Sequence, residues 1–186
     1  MNQANRALLS ALLAASLLVA CGGGGGGGGG GGPTTPPPPA PQFTPATGGG
    51  PTSLALGQGA ASTSTSLFLE LRASNVQNLY GLSFELSYPA AVLSYRRTLE
   101  GPFLTSDGAS ASIQASSPAP GRIVVGATRL GASGGLGGGG LVLTLEFALA
   151  GTGSGDINFS DTRTFSPNGQ AQIGVSWLGG TVRAGV

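Results

Sequence analysis

Histidine and lysine are absent from this chain of 186 residues, and cysteine occurs once. Without histidine the chain lacks the usual general base at neutral pH, the commonest metal ligand and any Ser-His-Asp arrangement. A lone cysteine cannot form a disulfide within the chain. These absences argue against catalysis, and we predict a non-enzymatic protein that needs no cofactor.

Charge is scarce as well. Charged residues make up 8% of the chain, against roughly 25% in an average domain. All eight basic residues are arginine, and Arg6 lies in the segment that we expect to be removed. The remaining seven arginines balance seven acids, so nothing draws the chain to nucleic acid by long-range charge.

The amino-terminal segment has the pattern of a secretory signal. Residues 7–20 are apolar apart from two serines, and Arg6 precedes them. Fourteen residues are too few to span a bilayer, which needs about 20. The ending Leu18-Val19-Ala20-Cys21 resembles the lipobox of bacterial lipoproteins. The resemblance implies that residues 1–20 are removed, that Cys21 is lipidated, and that the protein is anchored outside the cytoplasm in the cell membrane or outer membrane. By the rules of that family, Gly22 favours the outer membrane where there is one.

Residues 21–51 have the composition of a tether. Residues 22–32 are all glycine, and a proline-rich stretch follows them. Glycine loses the most conformational entropy on ordering, whereas proline-rich sequence favours an extended conformation. We therefore predict a disordered linker over residues 21–51 and a folded domain over residues 52–186. The linker is either a stalk that lifts the domain off a membrane or a low-complexity expansion with no selected length.

Residues 52–186 read as β-strands. Apolar residues alternate with polar ones along residues 67–74, 82–88 and 141–149, which places one set inside and the other toward solvent. Shorter strand-like runs cover residues 53–56, 92–97, 111–115, 122–130, 157–159, 171–177 and 181–183. About nine strands without a helical pattern predict an all-β fold, an antiparallel β-sandwich.

Turn residues separate these runs. Residues 117–121, Ser-Pro-Ala-Pro-Gly, predict a hairpin, and residues 166–169, Ser-Pro-Asn-Gly, predict a turn. The glycine-rich residues 131–140 predict a flexible loop, and Gly179-Gly180 predicts a bulge or kink. Trp177 shares parity with Ile173 and Val175, which favours a place in the core.

Several motifs follow one another in a set order along residues 52–186. They are residues 76–88, Tyr88-Pro89-Ala90-Ala91-Val92-Leu93, residues 121–127, 141–147 and 155–159, and the closing residues 175–182 with their paired glycines. In their order they resemble the cohesin family, the β-sandwich modules that bind dockerin domains. The resemblance implies a nine-stranded jelly roll that binds through one flat sheet face. Dockerin-binding relatives often carry Asn and Asp where this chain has Gly81 and Ser83.

The resemblance implies a partner-binding face, and strand parity suggests its residues. They are Gly81, Ser83, Glu85 and Ser87 on one strand, joined by Gln114, Arg122 and Thr128. The function that follows is a cell-envelope lipoprotein that binds a protein partner, a dockerin-bearing one by analogy. Two alternatives stay open, a polysaccharide-binding module and a purely structural envelope lipoprotein.

Three other sets of side chains bear on these alternatives. Sugar binding needs neighbouring exposed aromatic rings, for which the candidates are Phe68, Tyr95, Phe103 and Phe165. Glycosidase chemistry needs two carboxylates about 5–10 Å apart, but Glu70, Glu85 and Glu146 fall on outward positions of separate strands. A structural calcium ion would need oxygen ligands such as Asp156, Asp161 and Asn168, which match no calcium-loop spacing.

Overall fold

A computed structural model describes residues 39–185. Cys21, the predicted signal and most of the predicted linker lie outside the described residues. Among residues 39–185, no helix is long and apolar enough to cross a membrane. The described part is a β-sandwich of two sheets, as predicted from the alternation.

The described part of the chain forms eleven strands and one short 3-10 turn. The strands are β1 Gln42–Pro45, β2 Ser53–Gln58, β3 Ser66–Leu79, β4 Gly81–Ser87, β5 Leu93–Glu100, β6 Ala111–Ala119, β7 Arg122–Arg129, β8 Leu136–Leu149, β9 Gly153–Phe165, β10 Ser176–Leu178 and β11 Gly180–Ala184, and the turn is Phe103–Thr105. One sheet has the order β1-β11-β9-β4-β7-β6, and the other has the order β10-β2-β3-β8-β5. All pairings are antiparallel except that of β10 with β2.

The core lies between the two sheets. Leu67, Leu69 and Leu71 of β3 are fully buried, as are Leu145 and Phe147 of β8. The six-stranded sheet contributes the inward residues of β4, β7 and β9, which are Leu82, Phe84, Leu86, Ile123, Val125 and Ile157. The predicted alternation is therefore confirmed for residues 67–74, 82–88 and 143–147, because one face of each run is excluded from water. It is wrong at Val142, which is fully buried beside Leu143 where the pairing of β8 with β3 shifts register.

The folded domain begins earlier than the sequence predicts. Residues 42–45 are not part of a disordered linker but form strand β1, which pairs with β11. Phe43 is buried against the core, and Gln58 holds its backbone, accepting from the Phe43 N–H at 2.7 Å and donating to the Pro41 carbonyl at 3.0 Å. The local composition hides this strand because its stability comes from partners far along the chain.

Part of the predicted glycine loop is a strand. β8 begins at Leu136, and its residues 136–140 continue the pairing with β3. Glycine suits this stretch because the two backbones approach closely there. A Cβ on Gly139 would lie 2.7 Å from the Ala73 carbonyl oxygen, and one on Gly140 would lie 3.0 Å from the Phe103 ring.

The strand predicted over residues 171–177 is mostly absent, and only its last two residues belong to β10. Residues 171–177 are not one strand, since only Ala171 makes an isolated bridge before β10 begins, and Ile173 is 95% exposed. Gly179 is the point where the chain leaves one sheet for the other. Trp177 is half-buried and packs on Phe84 and Phe159, with ring centroids 5.5 and 5.1 Å away.

Two predicted turns are confirmed. The hairpin after β6 is closed by the pairing of Ala119 with Arg122. In the turn at residues 166–169, the Gly169 N–H donates to the Ser166 carbonyl.

One arginine lies in the interior. Arg129, at the end of β7, is 1% exposed and shares the inward parity of Ile123 and Val125. Its guanidinium donates to the Leu104 carbonyl at 2.5 Å and to Asp107 Oδ2 at 2.6 Å. The hydrogen bond from Arg129 holds the pKa of the Asp107 carboxyl below its ordinary value. The sequence pattern does not indicate this pair, which ties the β5–β6 connection to the end of β7.

Candidate functional site

The seven residues predicted to form a binding face all lie on one surface. Strand pairing aligns Gly81 with Thr128, and Ser87 with Arg122. It also aligns Ser83 with Gly126, which in turn pairs with Gln114 of β6. Residues directly opposite in a sheet point to the same side. The predicted set is therefore brought together on the outer surface of β9, β4, β7 and β6, which we call the docking face, and its role in binding stays a prediction.

Gly81 departs from the expectation that it faces solvent. It is buried, between Phe165 of β9 and Thr128 of β7. A Cβ at this position would lie 3.1 Å from the Ala127 carbonyl and 3.2 Å from Thr128 Oγ1. Gly81 therefore shapes the floor of the surface rather than offering a side chain to a partner.

A groove of about 580 Å³ runs along this end of the docking face. Gly81 and Gly126 line it together with Gln114 and Thr128, and the half-buried ring of Phe165 and Pro167 add apolar surface. The Ser166–Gly169 turn closes one side, held by the Ser166 Oγ hydrogen bond to the Gln170 carbonyl at 3.1 Å. The lining of the groove is mostly apolar with a few hydrogen-bonding groups, which is the composition of the centre of a protein interface.

Glycine also opens the centre of the docking face. No atom lies within 4 Å of the position that a Cβ would take on Gly126, and its φ is that of an ordinary strand residue. The neighbouring Val124 exposes 40% of its surface. A partner can thus approach the backbone closely at Gly126 and cover an exposed apolar side chain beside it.

Charge on the docking face lies at the other end of β4. Arg122 forms an ion pair with Glu85, whose side chain is 17% exposed. Asp161 and Arg163 stand beside Ser83 and Glu85 at a bulge in β9, where Asp161 has a φ of 48°. Among residues 39–185, Arg163 has no carboxylate within 4.0 Å. Sequence reasoning did not assign Val124, Asp161 or Arg163 to this face. The parity that places Arg122 and Thr128 there also places Val124 there and could have found it. The positions of Asp161 and Arg163 depend on the bulge where β9 pairs with β4, which no local pattern shows.

The three residues considered as calcium ligands are not brought together. Asp156 accepts a hydrogen bond from Thr181 Oγ1 at 2.9 Å, and Asn168 accepts one from the Gln170 N–H at 3.3 Å within its turn. Asp161 lies five residues along β9 from Asp156, which corresponds to about 16 Å of extended strand. Within residues 39–185 no cluster of three or more acidic or cysteine side chains is placed to hold a metal ion.

The candidate aromatic residues do not form one exposed row. Phe103 is buried, and Phe68, Tyr95 and Phe165 are half-buried. Phe68 and Tyr95 belong to the five-stranded sheet, whereas Phe165 belongs to β9 in the other sheet. Tyr95 packs on Phe147, and its hydroxyl lies 2.8 Å from Thr98 Oγ1. These positions give no flat aromatic surface on which sugar rings could stack.

The three glutamates considered for glycosidase chemistry each pair with an arginine. Glu70 pairs with Arg72 at 2.8 Å and Glu146 with Arg97 at 2.6 Å, while Glu85 pairs with Arg122. Glu70 and Glu146 belong to the five-stranded sheet, and Glu85 belongs to the six-stranded sheet. The arrangement is that of charged strand surfaces rather than of two carboxylates facing each other across a cleft.

Comparison of structures shows which known fold the domain shares. A type II cohesin domain from the cellulosome of Acetivibrio cellulolyticus superposes with a TM-score of 0.58 at 18% identity, covering 72% of this chain and 95% of that one. The sixth cohesin of scaffoldin B from the same organism, solved in complex with a Cel5 dockerin mutant, gives a TM-score of 0.56 at 15% identity, covering 71% and 97%. A non-cellulosomal cohesin from the archaeon Archaeoglobus fulgidus gives 0.50 at 15% identity, covering 75% and 88%.

Sequence comparison adds no closer relation. No protein-family model matches the chain, and no curated protein is significantly similar to it in sequence. The agreement thus lies in the fold, with identities below 20% in each of these three structures. The described domain has the cohesin fold.

Proposed function

We propose that this chain is a non-catalytic, lipid-anchored protein of the cell envelope whose cohesin-like domain binds a protein partner, a dockerin-bearing one by analogy. The observation that carries the proposal is the docking face, where residues from three strands form one open surface around Gly126. The solved cohesin of scaffoldin B binds a dockerin, and the shared fold makes the same class of partner the best candidate here.

The chemistry of the docking face suits a protein partner. Close approach at Gly126 and the exposed Val124 provide an apolar centre. Ser83 and Gln114 flank that centre with hydrogen-bonding groups, and the Glu85–Arg122 pair lies toward one end. Interfaces of this type have a dry apolar centre and a polar rim that stays accessible to water.

The proposed location rests on Cys21. The lipobox-like ending before Cys21 supports lipidation there. Two or more acyl chains on one residue give stable attachment, whereas one chain binds only marginally. The glycine and proline composition after Cys21 supports a spacer between the bilayer and the domain.

The test compares two glycines that are alike except for the sheet they occupy. Gly126 lies on the docking face and Gly57 on the outer surface of β2, and no atom lies within 4 Å of a Cβ at either position. Gly126→Arg therefore obstructs the docking face without a steric clash in the domain. Gly57→Arg places the same side chain on the opposite sheet, beside Glu70.

Each variant is made in the full chain carrying Cys21→Ser, immobilised, and exposed to the host's secreted and envelope proteins with calcium present. Mass spectrometry identifies what is captured, and calorimetry with the purified partner then measures affinity. We expect the wild-type and Gly57→Arg chains to bind a dockerin-bearing protein and Gly126→Arg to lose it. Equal binding by Gly126→Arg would refute the assigned face. Binding to a polysaccharide array without any protein partner would replace the proposal with carbohydrate recognition.

A further inference from the structure

Strand β6 is the free edge of the six-stranded sheet, and it lacks the usual protection of an edge. Ala111–Ala119 contains no charged residue, and residues 114–119 are all exposed. Natural proteins block edge strands with charges, prolines, bulges or short length, because open backbone groups pair with other chains. Here Pro118 and a register shift after Ser116 protect only the last part of the strand, which leaves residues 111–116 open.

The other edges of the two sheets carry such protection. β5 contains Arg96, Arg97 and Glu100. β1 has four residues and ends at Pro45, and β10 has only three residues. The contrast singles out β6 as the edge at which a further strand can be added.

The backbone direction along β6 follows from its pairing with β7. The Leu130 N–H donates to the Ser110 carbonyl, and hydrogen bonding in an antiparallel pair repeats at every second residue. The backbone groups of Ser112 and Gln114 therefore point toward β7. Those of Ala111, Ile113 and Ala115 point to the open edge, where a strand can bond to them.

We propose that two copies of this chain pair through β6, antiparallel about a two-fold axis at Ile113. This register aligns Ala111 of each copy with Ala115 of the other and forms about six backbone hydrogen bonds. An antiparallel edge is complementary to itself in its donors and acceptors. A charged edge strand would bring like charges close together across the axis. β6 avoids this repulsion because it contains no charged residue.

Pairing of this kind has a consequence for the docking face. The two-fold axis stands perpendicular to the sheet, so the outer faces of both copies point the same way, with Ser112 of one copy opposite Gln114 of the other. This consequence rests on the proposed function, whereas the pairing itself does not. A dimer presents two docking faces side by side, and a partner with two binding modules would bind it more tightly through the raised effective concentration.

The test measures association without any partner. In the full chain carrying Cys21→Ser, Ala115→Pro removes an N–H that points to the open edge and leaves the bonds to β7 in place. Ala115→Ser retains that N–H and is the matched control. We expect sedimentation velocity over a concentration series to show dimers for the wild type and for Ala115→Ser. Ala115→Pro removes one intermolecular hydrogen bond from each copy, two in the dimer, and should therefore weaken dimerisation about tenfold or more. Its circular dichroism spectrum should be unchanged.

A crosslink tests the register of the pairing. It also tests the pairing independently if Ala115→Pro fails to fold. Once Cys21 is replaced the chain has no other cysteine. The Ile113 side chain packs toward the core, so the thiol is placed on the outer side of the sheet by Ser112→Cys, next to the proposed axis. Its two copies would be diagonal neighbours about 7–8 Å apart, and a short bis-maleimide should join them, whereas the exposed Ser74→Cys on β3 should give no dimer. A wild type that remains monomeric throughout, or crosslinking that is equal at both positions, would overturn the proposal. Loss of partner binding in Gly126→Arg would leave it untouched.

Discussion

The guanidinium of Arg129 donates to Asp107 Oδ2 at 2.6 Å, across the boundary between the core and the solvent. The Arg129 side chain is fully buried, whereas that of Asp107 is 48% exposed. Arg129 also donates to the Leu104 carbonyl, so one side chain fastens two points of the β5–β6 connection. A buried charge depends on its partner more strongly than a surface charge does.

Replacement of Asp107 should therefore destabilise the domain. Asp107→Asn keeps the shape of the side chain but removes the charge that balances Arg129, and we expect a clear fall in the melting temperature. Glu146→Gln is the control, because it breaks the more exposed pair with Arg97, worth about 0–1 kcal/mol. Thermal unfolding followed by circular dichroism measures both. An equal effect of the two substitutions would show that Arg129 does not depend on Asp107.

The same pair should make stability depend on pH under acidic conditions. The Arg129 hydrogen bond lowers the pKa of Asp107 in the folded protein, whereas the unfolded chain has a value of about 3.9. The unfolded state thus binds the proton more readily. The contribution of Asp107 is fully present above the unfolded pKa and is lost as pH falls through the folded pKa. We expect the difference in melting temperature between wild type and Asp107→Asn to be constant near neutral pH and to shrink below about pH 4. A difference that persists unchanged at the lowest pH would contradict this titration.

The first strand should contribute to the stability of the domain. Phe43 is 7% exposed and packs into the core from β1. Phe43→Ala should lower the free energy of unfolding by about 3 kcal/mol, since buried Phe→Ala replacements cost roughly 3–5 kcal/mol and β1 is a short edge strand. Urea denaturation of the full chain measures the change. Gln42→Ala, at an exposed neighbouring position, should change it by less than about 0.5 kcal/mol. A similarly small change for Phe43→Ala would show that residues 42–45 behave as part of the linker and do not stabilise the domain.

Membrane attachment should depend on Cys21 alone. Cys21→Ser should leave the domain folded, because the described fold begins well after this position, while removing the proposed site of lipidation. We expect the variant in the soluble extracytoplasmic fraction and the wild type in the membrane fraction. Cell fractionation with metabolic fatty-acid labelling distinguishes the two. Retention of an unlabelled Cys21→Ser chain in the membrane would rule out the lipid anchor.

The strand interpretation from sequence was accurate where a strand has one buried face. In residues 67–73 and 82–88 the apolar positions face the core, because the two-residue period of a strand converts composition directly into sidedness. The same period placed Ser83, Glu85 and Ser87 on one surface, and the pairing with β7 then brought Arg122 and Thr128 beside β4.

Errors arose where long-range pairing overrides local composition. Residues 42–45 look like part of a proline-rich linker and residues 136–140 like a glycine loop, yet both are strands because β11 and β3 supply their hydrogen bonds. The buried position of Arg129 was likewise hidden, since its partners Leu104 and Asp107 come from a different segment of the chain.

The type and order of the side chains are enough to predict the all-β class of the domain and the inward and outward faces of strands such as β3 and β4, because the two-residue period of a strand is visible in the sequence. Three other features appear only in the folded chain: the start of the domain at β1, the set of residues around Gly126 on the docking face, and the edge position of β6. Those features depend on hydrogen bonds between strands far apart in the chain, and such pairing is settled only when the whole sandwich forms.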